Sequence, residues 1–325
     1  LFYDPERVSP LIRERRVTAS YLNPLRRVYR SLLPWMPVAL ESFDLREYDL
    51  VLSSESGPAK GVLAPSHARH ICYCHTPMRY LWDLYPAYLH DWTPHWKRPF
   101  LASAAHRMRL WDYSTAARVD RFVANSRNVR RRIESAYRRD ADVVYPPVPV
   151  DSFYSKPSAD YFLIVSELVA YKQIGLAVRA FSRSGRRLKI VGDGPESREL
   201  QRAAAANIEF CGRVTDSELR ELYARSRALV MPGEEDFGIA AVEALASGKP
   251  IVAFGRGGAV EIAGEAGFYF DSPREDSLID ALSRFEETES DISPQSLQAS
   301  AERFAPAQFT TGIRRVVESV GCSPG

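Results

Sequence analysis

The chain has 325 residues, 45% of them apolar and 26% charged, which excludes a disordered, fibrous or disulfide-stapled small protein. A single core stops growing at roughly 250 to 300 residues, so two domains of ordinary size are expected. The net charge is only +2, yet residues 1–150 carry 23 basic against 15 acidic side chains, leaving +8 in front and −6 behind.

That basic front half either meets something anionic, such as a phosphate-bearing substrate or a bilayer surface, or is a solvated arginine-rich surface. Leu1–Glu6 show neither a basic leader nor a secretory apolar stretch, and no apolar run approaches the ~20 residues of a bilayer-spanning helix. The first patterned stretch interleaves Arg26, Arg27 and Arg30 with Leu25, Val28, Leu32 and Leu33. It reads as an amphipathic helix, packed on its own domain or lying on an anionic membrane surface. Strands are expected at Leu50–Ser53, His70–Cys74, Arg121–Ala124 and Val143–Tyr145, with helices between them, including a long one around Arg98–Ala117. After the second strand, Thr76 and Pro77 predict a helix N-terminus, which places His75 at the strand tip unless it is a histidine satisfied in the core. Cys72, Cys74, Cys211 and Cys322 imply no disulfide framework and favour a cytosolic compartment. Cys72-x-Cys74-His75 has no second ligand cluster, so no metal is expected. Arg127, Arg130, Arg131, Arg132, Arg138 and Arg139 form a basic cluster, but only Tyr137 is interleaved and no nucleic-acid module surrounds it, so no nucleic acid is expected. Three prolines in four positions, Pro146, Pro147 and Pro149, then deny both helix and ladder, and mark a linker between domains at 1–152 and 153–302.

From Tyr161 onward, short apolar runs alternate with amphipathic stretches, the pattern of a βαβ series and a parallel sheet. The strands read as Tyr161–Ser166, Leu188–Val191, Ile208–Cys211, Ala228–Met231, Ile251–Phe254 and Phe268–Phe270. Thr215 and Glu218 have capping-box spacing at the start of a helix to Ser226, on which Leu219, Leu222 and Tyr223 form an apolar face. A second helix spans Ser277–Glu287. The architecture is therefore α/β, with two doubly wound parallel-sheet domains facing a cleft, and ligands are expected beyond the carboxyl ends of the strands. Gly192-Asp193-Gly194-Pro195 is a tight turn into a helix at one such end. At another, Pro232 to Gly248 holds Glu235 in a loop, a helix starting near Gly238, and Glu243 within it. A helix N-terminus there suits a phosphate or sugar hydroxyls, and the two carboxylates can grip one ligand.

Glu235 to Glu243, with Phe237-Gly238 between them, resembles the E-x7-E motif of retaining glycosyltransferases of family 4, which have the GT-B fold of two Rossmann-like domains. Cys72 to Asp83 is similar to the subgroup of bacterial O-antigen and exopolysaccharide mannosyltransferases, and Asn125-Ser126, Ser166 to Lys172, Gly192 to Pro195 and Gly212 to Val214 follow in the family's order. The resemblance implies a metal-independent hexosyltransferase of polysaccharide biosynthesis with no cofactor. Its donor would be a nucleoside diphosphate sugar, GDP-mannose by subgroup, and its acceptor a glycan or polyprenyl-diphosphate-linked glycan at the cytoplasmic face of the membrane. It implies that Glu243 holds the ribose hydroxyls, that Glu235 contacts the donor hexose, and that backbone at Phe237, Gly238 and Ile239 meets the hexose and diphosphate. Lys172 would neutralise the leaving diphosphate, His75 would bond the transferred sugar, and Gly192, Arg213 and Val214 would border the nucleoside. Residues 303–325 would form a helix returning to the front domain. Two departures stand out. Glu167 occupies a position where relatives carry a phosphate-binding arginine. Leu1 to Val8 resembles a later strand and turn, so the family's first strand and glycine-rich loop are expected to be absent. A sugar-nucleotide-binding protein without turnover, or an epimerase or hydrolase on the same fold, are the competing readings.

Overall fold

A computed structural model describes residues 1–6 and 8–321, without the side chain of Arg30; Arg7 and Cys322 lie outside the described residues. The chain divides into two compact units, one made of residues 1–125, 129–143 and those from Arg314, the other of residues 126–128 and 144–313.

The first unit holds a parallel sheet of β1 (Leu50–Glu55), β2 (Arg69–Cys74), β3 (Arg121–Ala124) and β4 (Ala141–Val143), in that order across the sheet. Its central strand β2 is buried from His70 to Cys74, as expected where helices cover both faces. The last strand ends at Val143 rather than Tyr145, because the Tyr145 ring packs against Phe237 and Phe304 in the second unit's core. Leu1–Glu6 form no strand, contrary to the reading of Leu1 to Val8. Asn23–Trp35 is a 3-10 segment broken at Val28 and containing Pro34, not the amphipathic α-helix expected; Leu25, Val28 and Trp35 are exposed, while Leu33 packs against the apolar cluster of Met78, Leu81, Ala105 and Met108. No helix starts at Pro77: the backbone runs through turns until Tyr85–His90. Thr76 is buried, and its Oγ1 accepts from Arg132 Nη1 at 3.4 Å, which removes it as a cap. Much of the arginine cluster is structural, since Arg130 pairs with Asp140, Arg132 lies 3.6 Å from Asp83, and Arg139 donates to the carbonyls of Ala116 and Val119.

Under this sheet's carboxyl edge lies a buried charge network. Glu55, Lys60 and Asp112 are 2%, 0% and 0% exposed. Lys60 Nζ is ion-paired with Asp112 and lies 3.5 Å from Glu55 Oε1, while the Lys60 backbone N–H donates to Glu55 Oε2 at 2.8 Å. Trp82 Nε1 donates to the other Asp112 oxygen at 2.8 Å. The network thus ties the loops after β1 and β2 to the helix Arg98–Thr115. Burial is the main cause that pushes the Glu55 carboxyl up to about 7, against the nearby Lys60 charge, which lowers it.

The second unit holds six parallel strands: β5 (Phe162–Val165), β6 (Leu188–Val191), β7 (Ile208–Gly212), β8 (Leu229–Met231), β9 (Ile251–Phe254) and β10 (Gly267–Phe270). Their order is β10-β9-β8-β5-β6-β7, a doubly wound sheet with an apolar cluster on each face. The helix Asp216–Arg225 opens with a complete capping box at Thr215 and Glu218. The proline-rich run packs inside this unit: Val148 and Val150 are buried, and the Val148 N–H donates to Phe304 O at 2.9 Å. Among the described residues no helix is long and apolar enough to cross a membrane.

Removing one partner of a buried pair leaves an uncompensated charge, so Lys60→Met is expected to destabilise the protein by about 3 to 5 kcal/mol in denaturant unfolding. Adding Glu55→Gln and Asp112→Asn to it is expected to recover most of that loss; a variant as unstable as the single substitution would show that charge is not the cause.

Candidate functional site

The strand order of the second sheet reverses between β5 and β8, and ligand crevices form at the carboxyl side of such a switch point. The loop after β5 turns through Ala170–Lys172 and a left-handed Gln173 (φ 56°) into the helix Ile174–Ser184. The loop after β8 carries Glu235. Lys172 Nζ is ion-paired with Glu235 Oε2 across the switch point, with both side chains mostly buried. The loops meet this closely because residue 233 is glycine: a Cβ there would lie 2.7 Å from Lys172 O. The Glu235 carbonyl accepts from the Gly258 N–H at 2.8 Å, and Ser126 Oγ donates to Asp236 O at 2.7 Å, which holds the loop from beneath.

The helix Ile239–Ala246 follows, with Gly238 at its N-cap in a left-handed conformation (φ 102°) that a side chain would strain. The N–H groups of Gly238, Ile239 and Ala240 find no acceptor among the described residues, so they and the positive end of the helix dipole are open to an anion or to hydroxyl oxygens. The Phe237 ring is buried, stacked on Tyr145 at 5.9 Å and edge-on to Phe304 at 5.6 Å; its side chain anchors the turn while its backbone borders the crevice. Glu243 is half-buried, and its Oε2 accepts from the hydroxyl of the fully buried Tyr223 at 2.8 Å. Burial raises the Glu243 carboxyl above its ordinary range, and the Tyr223 hydrogen bond opposes that rise.

Gly192 and Arg213 line a cavity of about 500 Å³ with Ser166, Glu167, Asp193 and Gly194, whereas Val214 packs against the core. His75 stands in the first unit just past β2. Its Nε2 is 2.9 Å from Ser54 Oγ, its ring is edge-on to Tyr73 at 5.2 Å, and its N–H donates to Glu55 O at 2.7 Å. Burial lowers the His75 pKa and favours the neutral imidazole. Cys72 and Cys74 are buried, and burial pushes both thiols well up. Among the described residues no group of three or more His, Cys, Asp or Glu side chains is arranged to hold a metal ion. Three residues escaped the sequence reading. In the sequence Tyr223 reads only as an apolar helix position, Gly233 as part of the loop that follows Pro232, and Ser54 as the residue just past the strand Leu50–Ser53; only that strand-end position of Ser54 offers a signal.

Residues 3–152 match the family model described as Glycosyltransferase Family 4, and residues 159–287 match that described as Glycosyl transferases group 1. The chain belongs to these glycosyltransferases. It is 26% identical over 148 residues to an uncharacterized glycosyltransferase of Methanocaldococcus jannaschii, covering 44% of this chain and 42% of that protein. It is 37% identical over 102 residues to a GDP-mannose-dependent alpha-mannosyltransferase of Corynebacterium glutamicum, covering 31% of this chain and 24% of that protein. The chain thus spans less than half the length of these curated relatives. Among solved structures it is similar to sucrose-phosphate synthase from Thermosynechococcus elongatus (TM-score 0.71, 14% identity, 93% of this chain and 82% of that one). It is also similar to Anabaena HepE in complex with UDP and glucose (TM-score 0.57, 17% identity, 89% and 95%). Together with the four- and six-stranded parallel sheets, these likenesses show a GT-B fold.

Tyr223→Phe removes the hydrogen bond that, among the described residues, favours ionised Glu243. The Glu243 carboxyl is expected to titrate at higher pH than in the wild type when followed by carbon-detected NMR, and an unchanged midpoint would mean that the Tyr223 hydrogen bond does not influence it.

Proposed function

We propose that this glycosyltransferase moves a hexose from a nucleoside diphosphate sugar to an acceptor hydroxyl, with retention at the anomeric carbon and without a metal ion. The observation that carries the reading is the Lys172–Glu235 pair set beside the three unpartnered N–H groups of Gly238, Ile239 and Ala240. A diphosphate arriving there competes with Glu235 for Lys172. Lys172 then neutralises the departing charge, and the released Glu235 carboxylate accepts from the hexose hydroxyls. Glu243 grips the ribose hydroxyls from its half-buried position, with Gly192, Arg213 and Val214 beside the nucleoside. Backbone N–H groups around Phe237, Gly238 and Ile239 receive phosphate and sugar oxygens. The bond from the anomeric carbon to the phosphate oxygen breaks and the acceptor oxygen attacks the same face, its proton passing to the leaving phosphate. Neutral His75 bonds the transferred sugar. GDP-mannose is the proposed donor, supported by the mannosyltransferase-like run Cys72 to Asp83 and by the relative from Corynebacterium glutamicum, against which stands the UDP held by the Anabaena protein.

Lys172→Ala is expected to lower kcat by about 10²- to 10³-fold at saturating donor. Full turnover in that variant would remove Lys172 from the leaving-group role, and donor binding with neither transfer nor hydrolysis in the wild type would favour a binding protein. In a thermal-shift panel of nucleoside diphosphate sugars, the true donor at 100 times its Kd adds about 2.7 kcal/mol of apparent stability.

The proposed acceptor is a lipid-linked glycan met at an anionic membrane, supported by the exposed Leu25, Val28, Tyr29 and Trp35 beside Arg26 and Arg27. Sedimentation with vesicles is expected to rise with their anionic lipid content; no dependence on that content would end the membrane assignment.

A further inference from the structure

Within the first unit, a cavity of about 380 Å³ opens beside the segment that follows His75, within the size range of small-molecule pockets. Its apolar and aromatic lining is Pro77, Leu81 and Trp82 from the turns after β2 and Tyr85 from the start of the helix Tyr85–His90. Arg109 from the helix Arg98–Thr115 and Arg132 from the helix Arg127–Tyr137 also line the cavity. Arg109 is held rigidly: its Nε donates to Leu81 O at 2.8 Å, and its guanidinium lies 4.6 Å from the Tyr85 ring centroid and 5.9 Å from that of Trp82. Its two Nη groups have neither a hydrogen-bond acceptor nor a carboxylate among the described residues. Asp83, the acidic residue of the lining, is shared between Arg132 at 3.6 Å and Arg79 at 3.1 Å, so it does not offset the charge of Arg109. The nearest other acid of that helix, Asp112, is committed to Lys60 and Trp82.

A planar guanidinium, fixed by stacking and with its Nη edge open, matches the paired oxygens of a phosphate, and an apolar wall beside it matches a group esterified to that phosphate. We infer that this cavity binds a phosphate ester, with the open Nη edge of Arg109 on the phosphate and Pro77, Leu81 and Trp82 against the attached group. Its role as part of the acceptor site rests on the transferase reading above; the binding itself does not. The phosphate could be that of a lipid carrier or of a soluble sugar phosphate, since both present the same dianionic head.

Ligand-observed ³¹P NMR titrations with geranyl phosphate, glucose 6-phosphate and inorganic phosphate test this. At least one ester is expected to bind saturably, and more tightly than inorganic phosphate; which ester does so identifies the source. Arg109→Gln is expected to weaken that ester at least about 10-fold. Ser135→Glu adds a negative charge at the exposed lip of the same cavity, is free of the fold-supporting bond that Arg109 makes, and is expected to weaken the ester likewise. Lys172→Ala is expected to leave ester binding unchanged, and a wild type that binds the ester but no nucleoside diphosphate sugar would defeat the donor reading alone. The inference is overturned if neither ester saturates, if inorganic phosphate binds as tightly as both, or if folded Ser135→Glu binds the ester as tightly as the wild type.

Discussion

The ion pair between Lys172 and Glu235 depends on a feature of topology. Only where the strand order reverses, between β5 and β8, do two loops leave neighbouring strands without a crossover helix between them. There the loops approach until backbone touches backbone at Gly233, and the opposite charges they carry meet with little solvent around them. Everything else at the site follows from that placement. The loop that carries Glu235 is the one that opens the helix Ile239–Ala246, so a carboxylate, an ammonium and three free N–H groups lie together. A charge pair of this kind is poised rather than inert, because a polyanion offers the ammonium more than a single carboxylate does.

In the first unit electrostatics is managed differently. Glu55, Lys60 and Asp112 are sealed from water and satisfy one another, with Trp82 completing the set. Desolvation of the three charged groups offsets most of their mutual attraction, so the intact network adds little net stability although breaking it is costly. It fixes the loop after β1 and the turns after β2, and those turns carry both His75 and the wall of the arginine-lined cavity. Several arginines of the cluster Arg127–Arg139 are bonded to carbonyls and carboxylates, whereas Arg109, outside that cluster, holds an open edge among the described residues.

Local features were legible where a few adjacent residues decide them. The capping box at Thr215 and Glu218 formed because both partners lie within one turn of each other. β6 and β9 occupy the residues expected of them, since short apolar runs bounded by glycine, proline or charge have few alternatives. The helix expected at Thr76 failed because its cap was engaged by Arg132, a residue 56 positions away. Tyr145 left its strand for a distant aromatic cluster, for the same kind of reason.

The sequence alone determined the order of elements, the two-sheet α/β class and the family, because periodicity, turn residues and motif order are properties of neighbours along the chain. It also placed Glu235 and Glu243 around a helix start beyond a strand, while Lys172 was singled out by the family resemblance. Only the tertiary structure decided that Lys172 and Glu235 are partners, that Tyr223 holds Glu243, that Ser54 reaches His75, and that among the described residues no carboxylate pairs with Arg109. These are contacts between residues tens of positions apart. Their energies depend on burial and approach, which no local pattern encodes.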